Sequence, residues 1–328
     1  VSAEFATFLW ERTSGLPYAV EEVLAVAHAR GLLVPGRSGG WARRVLQELE
    51  VPRSIRDSTL ERVAWLSRGA QRVAEAAAVL RTAAGRSELL AVTGGADDPV
   101  EALDEVLGSG LLSEQAGRFG FGHPLAAQAV YENLSGPRRQ VLHARAAAIL
   151  GALEPPPLGQ VAHHLKRADQ LDEWVRAAER AADQAAGLAN DEEVVRLLED
   201  VLRHARLDPE RRGRIAVKLG WAAIHTLHAR DVTDLLSDTL DLELPRPVRG
   251  ELRFLLAQAL NQTGEDLTRQ SQLFSGAVDD LENRPDLRAW SMVALGIPTM
   301  PGVRSTRTTR SVWRPASLVT CRPPNCCS

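Results

Sequence analysis

The chain has 328 residues, 45% of them hydrophobic and 25% charged, with a formal net charge of −3. That is the composition of a globular chain with room for two or three domains, and it excludes fibrous and wholly disordered classes. No run reaches the roughly 18 consecutive apolar residues of a membrane span and no basic-then-apolar leader opens the chain, so a cytoplasmic protein without a membrane partner is expected. The three cysteines, Cys321, Cys326 and Cys327, crowd the last eight positions, which excludes a disulfide framework and thiol catalysis.

Alanine, leucine and arginine dominate while aromatics make up only 5%, so helices are favoured over strands. The fold class expected is mostly α. From Ala3 to about Arg30, two helical stretches are broken by "TSGLPYAVEEVL". Thr13 and Ser14 can end or cap a helix there, Gly15 permits positive φ, and Pro17 suits the first turn of the next helix. The loop "PGRSGGW" then separates this helix corner from the next segment.

Between about Pro52 and Ser135, "SIRDSTLERVAWLS" sets Ile55, Leu60, Val63 and Leu66 near one face. "GAQRVAEAAAVLR" continues as a buried alanine-rich helix, and "SELLAVTG" and "PVEALDEVLGSG" give two short helices. "LLSEQ" and "RFGFGH" read as strands flanking a turn at Ala116 and Gly117. Several helices followed by a β-hairpin is the order of a winged-helix domain.

From about Gly136 to Pro298 no convincing strand occurs, and first helices open near Asp172, Pro209 and Pro245. That spacing of roughly 36 to 37 residues matches paired-helix repeats of the tetratricopeptide type. "DEEVVRLLEDVLRHARLDPE" carries one stripe, Val194, Leu197, Leu198, Val201 and Leu202, closed by Asp208 and Pro209. The last segment, from Gly302, holds five arginines and no acid, which puts the remainder at −8. It lacks periodicity and reads as a disordered or out-of-frame tail, with a basic nucleic-acid-binding arm as the alternative. The absence of a starting methionine and the foreign tail together suggest a fragment.

Four domains are therefore expected: a helical end of a larger module over residues 1–35, a winged helix over 36–135, a helical solenoid over 136–300 and the tail over 301–328. Within the winged helix, the segment that would enter a DNA groove carries Asp97, Asp98, Glu101, Asp104 and Glu105 and no basic residue. Phosphates repel such a helix, so no direct DNA contact is expected and the module faces protein. Arg138 and Arg139 in "GPRRQ" are expected to cap or pair locally.

Catalytic patterns are absent. The chain has no G-x-S-x-G elbow and no H-E-x-x-H helix, and its only lysines, Lys166 and Lys218, lack the glycines of a Walker A loop. No strand-ending acidic pair suits Mg²⁺, so the chain alone is not expected to be an enzyme or to hydrolyse ATP. His163 and His164 point to different faces of a helix, and His225 and His228 have no acidic or cysteine partner nearby, so no metal site is expected.

"SGLPYAVEEVL", "VPRSIRDSTLERVAWLS", "VAEAAAVLR", "LLSEQAGRFGFGHPLAAQAVYENLSGPRRQVLHARAAAIL" and "VAHHLKRADQLDEWVRAAERAADQA" resemble, in order and spacing, the large LuxR-type bacterial transcriptional regulators. These belong to the STAND class of signal-transduction ATPases, relatives of the NB-ARC switch proteins. The resemblance runs from about Glu11 to Ala186 and is generic thereafter.

It implies a helical lid end over 1–35, an upstream P-loop ATPase core that binds ATP or ADP, and a DNA-binding helix-turn-helix downstream, neither of them within this chain. It also implies that Gly15 and Pro17 lie against the nucleotide base while His123 approaches the diphosphate. Tyr131 and His143 match family positions too and are expected to pack at the joint between wing and repeats.

Physically, an imidazole at a helix N-terminus can join the free N–H groups in binding an anion, although Pro124 removes one of those donors. The competing reading is that His123 merely closes the strand-to-helix corner by a local hydrogen bond, and that Gly15 and Pro17 form an ordinary helix corner. For the whole chain the expectation is part of a nucleotide-switched regulator whose partners are its own upstream core and an inducer or protein on the repeats. The alternative is a stand-alone helical adaptor that binds protein without nucleotide.

Overall fold

The computed structural model describes residues 51–95, 98–226, 231–263 and 267–296, together with scattered positions between 7 and 43. Contacts divide the chain into two units, one ending at Gln170 and the other beginning at Leu171.

The first unit is organised around helix α2 (Arg68–Leu80), which follows α1 (Arg53–Ala64). Ser67 caps α2 by accepting the Ala70 N–H at 3.2 Å. Ala70, Val73, Ala74, Ala76, Ala78 and Val79 are almost wholly buried, because small side chains let neighbours approach this helix from every side. Those neighbours are α3 (Arg86–Thr93), α4 (Pro99–Gly108), α5 (Pro124–Asn133) and α6 (Gly136–Gly151). Helix α1 is less committed than its stripe predicts: Thr59 is its buried residue, while Ile55, Leu60 and Val63 are half-exposed.

Strands β4 (Leu112–Gln115) and β5 (Arg118–Phe121) form the expected hairpin, with Gln115 opposite Arg118. Ala116 and Gly117 both take positive φ, 51° and 72°, the conformation whose twist suits a two-residue hairpin. The sequence does not foretell strand β3 (Ala84–Gly85), which pairs with the other edge of β5 and gives the order β3-β5-β4. Gly120 makes that pairing possible, since a Cβ there would stand 3.1 Å from the Ala83 backbone. A second unpredicted pairing joins β1 (Leu33–Pro35) to β2 (Trp41–Arg43). The unit closes with α7 (Leu158–Arg167), which packs on α6.

The second unit is helical throughout its described residues: α8 (Leu171–Gly187), α9 (Asp191–His204), α10 (Pro209–Ala223), α11 (Thr233–Leu240), α12 (Arg246–Thr263), α13 (Leu267–Asp280) and α14 (Pro285–Ala294). Helix openings at Leu171, Pro209 and Arg246 fall where the repeat spacing puts them. Consecutive packing runs α8 on α9, α9 on α10, α10 on α12, α12 on α13 and α13 on α14. The predicted stripe of α9 is buried in full, joined by Val195. Asp208 does not end α9 but caps α10, accepting the Arg211 N–H at 2.8 Å with Pro209 in the first turn.

Close helix approach in this unit depends on glycine. A Cβ on Gly220 would lie 2.9 Å from Leu255 Cδ1 and 3.1 Å from its Cβ, and one on Gly250 would lie 2.8 Å from the Asp280 Cβ. Phe254, Leu255, Phe274, Leu281 and Leu287 form the core against which these helices seat. Among the described residues no helix is long and apolar enough to cross a membrane.

Candidate functional site

The sequence-predicted residues sit at two places in the first unit. Thr13, almost completely buried, donates its hydroxyl to the Leu9 carbonyl at 2.6 Å and accepts the Gly15 N–H at 3.3 Å. Gly15 takes φ of 73° and ends the turn, and Pro17 is exposed at the start of the next helical stretch. A side chain at Gly15 would be strained by that φ and would also meet the Trp10 ring at 2.4 Å, so glycine is required for both conformation and space. The corner forms as its residue types dictate.

His123 stands where β5 gives way to α5. Its backbone is extended, its carbonyl accepts the N–H groups of Ala126 and Ala127 at 3.0 and 3.2 Å, and its exposed side chain makes no cap hydrogen bond. The local bond of the competing reading is therefore not formed. Pro124 has no N–H to offer, so Leu125 supplies the one first-turn N–H without a partner among the described residues. An anion approaching here meets a solvent-facing imidazole and the positive end of a ten-residue helix, while Leu125 is itself buried. No hydrogen bond joins His123 to Gly15 or Pro17 among the described residues.

A different cluster escapes sequence reasoning. His143 on α6 and His164 on α7 are 0% and 2% exposed, and their Nδ1 atoms are 2.8 Å apart. The Tyr131 hydroxyl of α5 lies 3.0 Å from His143 Nε2, and the His163 ring packs 5.4 Å from that of His164. Burial, then the neighbouring imidazoles, then Arg167 and Arg139 hold His143 well below the ordinary imidazole range. For His164 the causes are burial, His163 and Arg81. Both rings are neutral at pH 7.

The expectation that Tyr131 and His143 pack is met, but it omits their hydrogen bonds. Its missing partner, His164, had a signal: His143, Ala146, Ala147 and Leu150 share one buried stripe, and Val161 and His164 share another. No group of three or more histidine, cysteine or acidic residues among the described residues is arranged to hold a metal ion.

Arg138 departs from its expected local role. It reaches back 63 positions to Glu75 on α2, at 2.8 Å, while Arg139 lies over the Tyr131 ring at 5.5 Å from its centroid. In α4, Asp98 caps the helix by accepting the Val100 and Glu101 N–H groups, and Glu101 and Asp104 are exposed. That surface is acidic, and Asp97 lies outside the described residues.

A small cleft of about 230 Å³ opens between Ala83, Arg118, Leu150, Pro155 and Gln160. The Arg118 guanidinium beside it is already bonded to the Ala83 carbonyl at 2.6 and 3.0 Å. His228 and the basic tail after Met300 also lie outside the described residues. No protein-family model matches the chain, and no curated protein or solved structure matches it either.

Proposed function

We propose that this chain is part of a nucleotide-switched, signal-transducing transcriptional regulator of the large LuxR-type class. It supplies a winged-helix module that senses nucleotide and a helical-repeat region that binds an inducer or a protein partner. The observation that carries this reading is the environment of His123: an exposed imidazole, not spent on any local bond, at the N-terminus of α5 directly after the hairpin. A residue kept for packing would be buried, and one kept for the corner would be hydrogen-bonded.

ATP or ADP would be held chiefly by an ATPase core upstream in the full regulator. The residues present fit one edge of such a ligand. The exposed His123 at the start of α5 suits an anionic oxygen, while the Gly15–Pro17 corner offers an uncharged surface for a base. The nucleotide brings the negative charge and the cleavable phosphate bond; this chain's residues contribute contact and orientation. Neither this chain alone nor its acidic helix α4 is assigned hydrolysis, tight nucleotide binding or DNA contact.

The test is ADP binding by the chain extended upstream, wild type against His123→Ala, measured by calorimetry. Loss of one charge-assisted contact is expected to weaken binding about tenfold or more, with the fold intact by circular dichroism. Unchanged affinity in the variant, or an upstream sequence without a P-loop, removes the switch reading.

The runner-up, a stand-alone helical adaptor, draws on the consecutive packing of helices α8 to α14. Stacked pairs of this kind present an extended face for partners. Partner binding undisturbed by nucleotide would favour it.

A further inference from the structure

We propose that Tyr131, His143 and His164 form an acid-released clasp, in which one shared proton ties α7 to α6 at neutral pH and the uptake of two protons opens that joint.

The geometry limits what the pair can hold. Two Nδ1 atoms 2.8 Å apart must be one donor and one acceptor, so exactly one proton occupies the gap in the neutral pair. Two directions fit the 3.0 Å contact with Tyr131, and both admit one further proton only; in the one where the Tyr131 hydroxyl donates to His143 Nε2, His143 carries its proton on Nδ1 and donates it to His164. His164 then keeps its own proton on Nε2. The row spans three consecutive helices, α5, α6 and α7.

A first added proton has somewhere to go. His143 can carry protons on both nitrogens while the Tyr131 oxygen turns to accept. A second has nowhere, because two N–H groups would then face each other across the same 2.8 Å, and the rings must separate.

The surroundings give no relief. The charged or titratable groups facing the pair are Arg139 on α6, His163 and Arg167 on α7, Arg81 at the end of α2 and Tyr131 on α5. None is a carboxylate, so no acid among the described residues offsets an imidazolium buried here. The depressed affinity of both rings for protons has burial as its first cause and these cations next.

The linkage has a definite sign. Once the joint opens, each histidine regains an ordinary value near 6.5, so below that pH the open form gains up to about tenfold in population per pH unit for each ring. Two rings give about a hundredfold per unit. Above pH 7 the term vanishes and the clasp is closed.

Hydrogen exchange of the full 328-residue chain, resolved by segment and corrected for intrinsic rates, reads this between pH 6.5 and 5. Protection of α7 amides is expected to fall about fortyfold per pH unit averaged over that window, while α2 and α12 change at most a few-fold. In His164→Leu the slope is expected to drop to about sevenfold per unit, and in His163→Gln to stay as in wild type. A wild-type slope of tenfold or less in α7, or an equal slope in α2 and α12, overturns the clasp. Should His164→Leu not fold at pH 7.5, the wild-type slopes alone decide.

Discussion

Removing the Asp280 carboxylate tests whether the second unit depends on a single buried anion. Asp280 is 5% exposed and sits at the end of α13, where three arginines of α12 converge on it. Arg249 reaches both oxygens at 2.7 Å, Arg253 reaches Oδ2 at 2.6 Å, and Arg246 stands at 3.5 Å. The Arg249 hydrogen bonds, followed by the charges of Arg253 and Arg249, hold the carboxyl below its usual range against the opposing effect of burial.

Breaking a buried ion pair costs about 3–5 kcal/mol when the orphaned partner is stranded. Here the guanidinium side chains are 61%, 33% and 32% exposed for Arg246, Arg249 and Arg253 and can turn to water. Asp280→Ala should therefore cost about 2–3 kcal/mol, less than for a stranded partner. Glu282→Ala, which removes a 72% exposed carboxylate 3.8 Å from Arg246, should cost under about 0.5 kcal/mol.

Native-state hydrogen exchange of α12 and α13, as a function of urea, separates the two. The sign with pH follows from the lowered value: the contribution is present above the ordinary carboxylate range and is lost as pH falls through the folded one. A loss below about 1 kcal/mol for Asp280→Ala, or one no larger than for Glu282→Ala, refutes the reasoning.

Three further expectations concern the first unit. Gly94→Ala puts a Cβ 1.8 Å from the Arg145 guanidinium at a φ of 79° and disturbs the Arg145 bond to the Thr93 carbonyl; thermal unfolding should register a loss of about 1–2 kcal/mol. Ser67→Ala removes the α2 cap and the hydroxyl that donates to the Glu105 carboxylate, leaving the backbone N–H in place. It should cost about 1 kcal/mol by denaturant unfolding, and carboxyl NMR should show Glu105, now held low by its Ser67 hydrogen bonds, titrating higher. For Arg138 and Glu75, each about one-quarter to one-third exposed, a double-mutant cycle should give a coupling of about 1 kcal/mol; additive losses would assign Arg138 to packing alone.

Local chemistry determined what the residue pattern could announce. The hairpin was legible because Ala116 and Gly117 stand between alternating runs, and α9 because its apolar residues recur on one face. Strand β3 was not, since two residues carry no period; Gly120 eases the close approach of the Ala83 backbone beside it. The β1–β2 pairing was not legible either, because strands of three residues each are too short to show alternation.

At the site, the Gly15 corner and the helix start after His123 followed from backbone rules. The union of His143 with His164 depends on how α6 and α7 pack, and periodicity gives each helix a buried face without naming what that face meets. Asp280 was concealed for a similar reason: "AVDDLEN" reads as a solvated end, and only the placement of α12 surrounds it with guanidinium groups.

The contrast between His123 and His143 bears on how sequence change would be filtered. His143 is enclosed and bonded on both nitrogens, so most replacements there would lower the amount of folded chain. His123 is exposed and holds the fold by its carbonyl alone, so replacements would leave abundance nearly untouched. A screen scored on cellular protein level would class His123 as freely variable, so the nucleotide contact proposed for it has to be tested by binding and not by abundance.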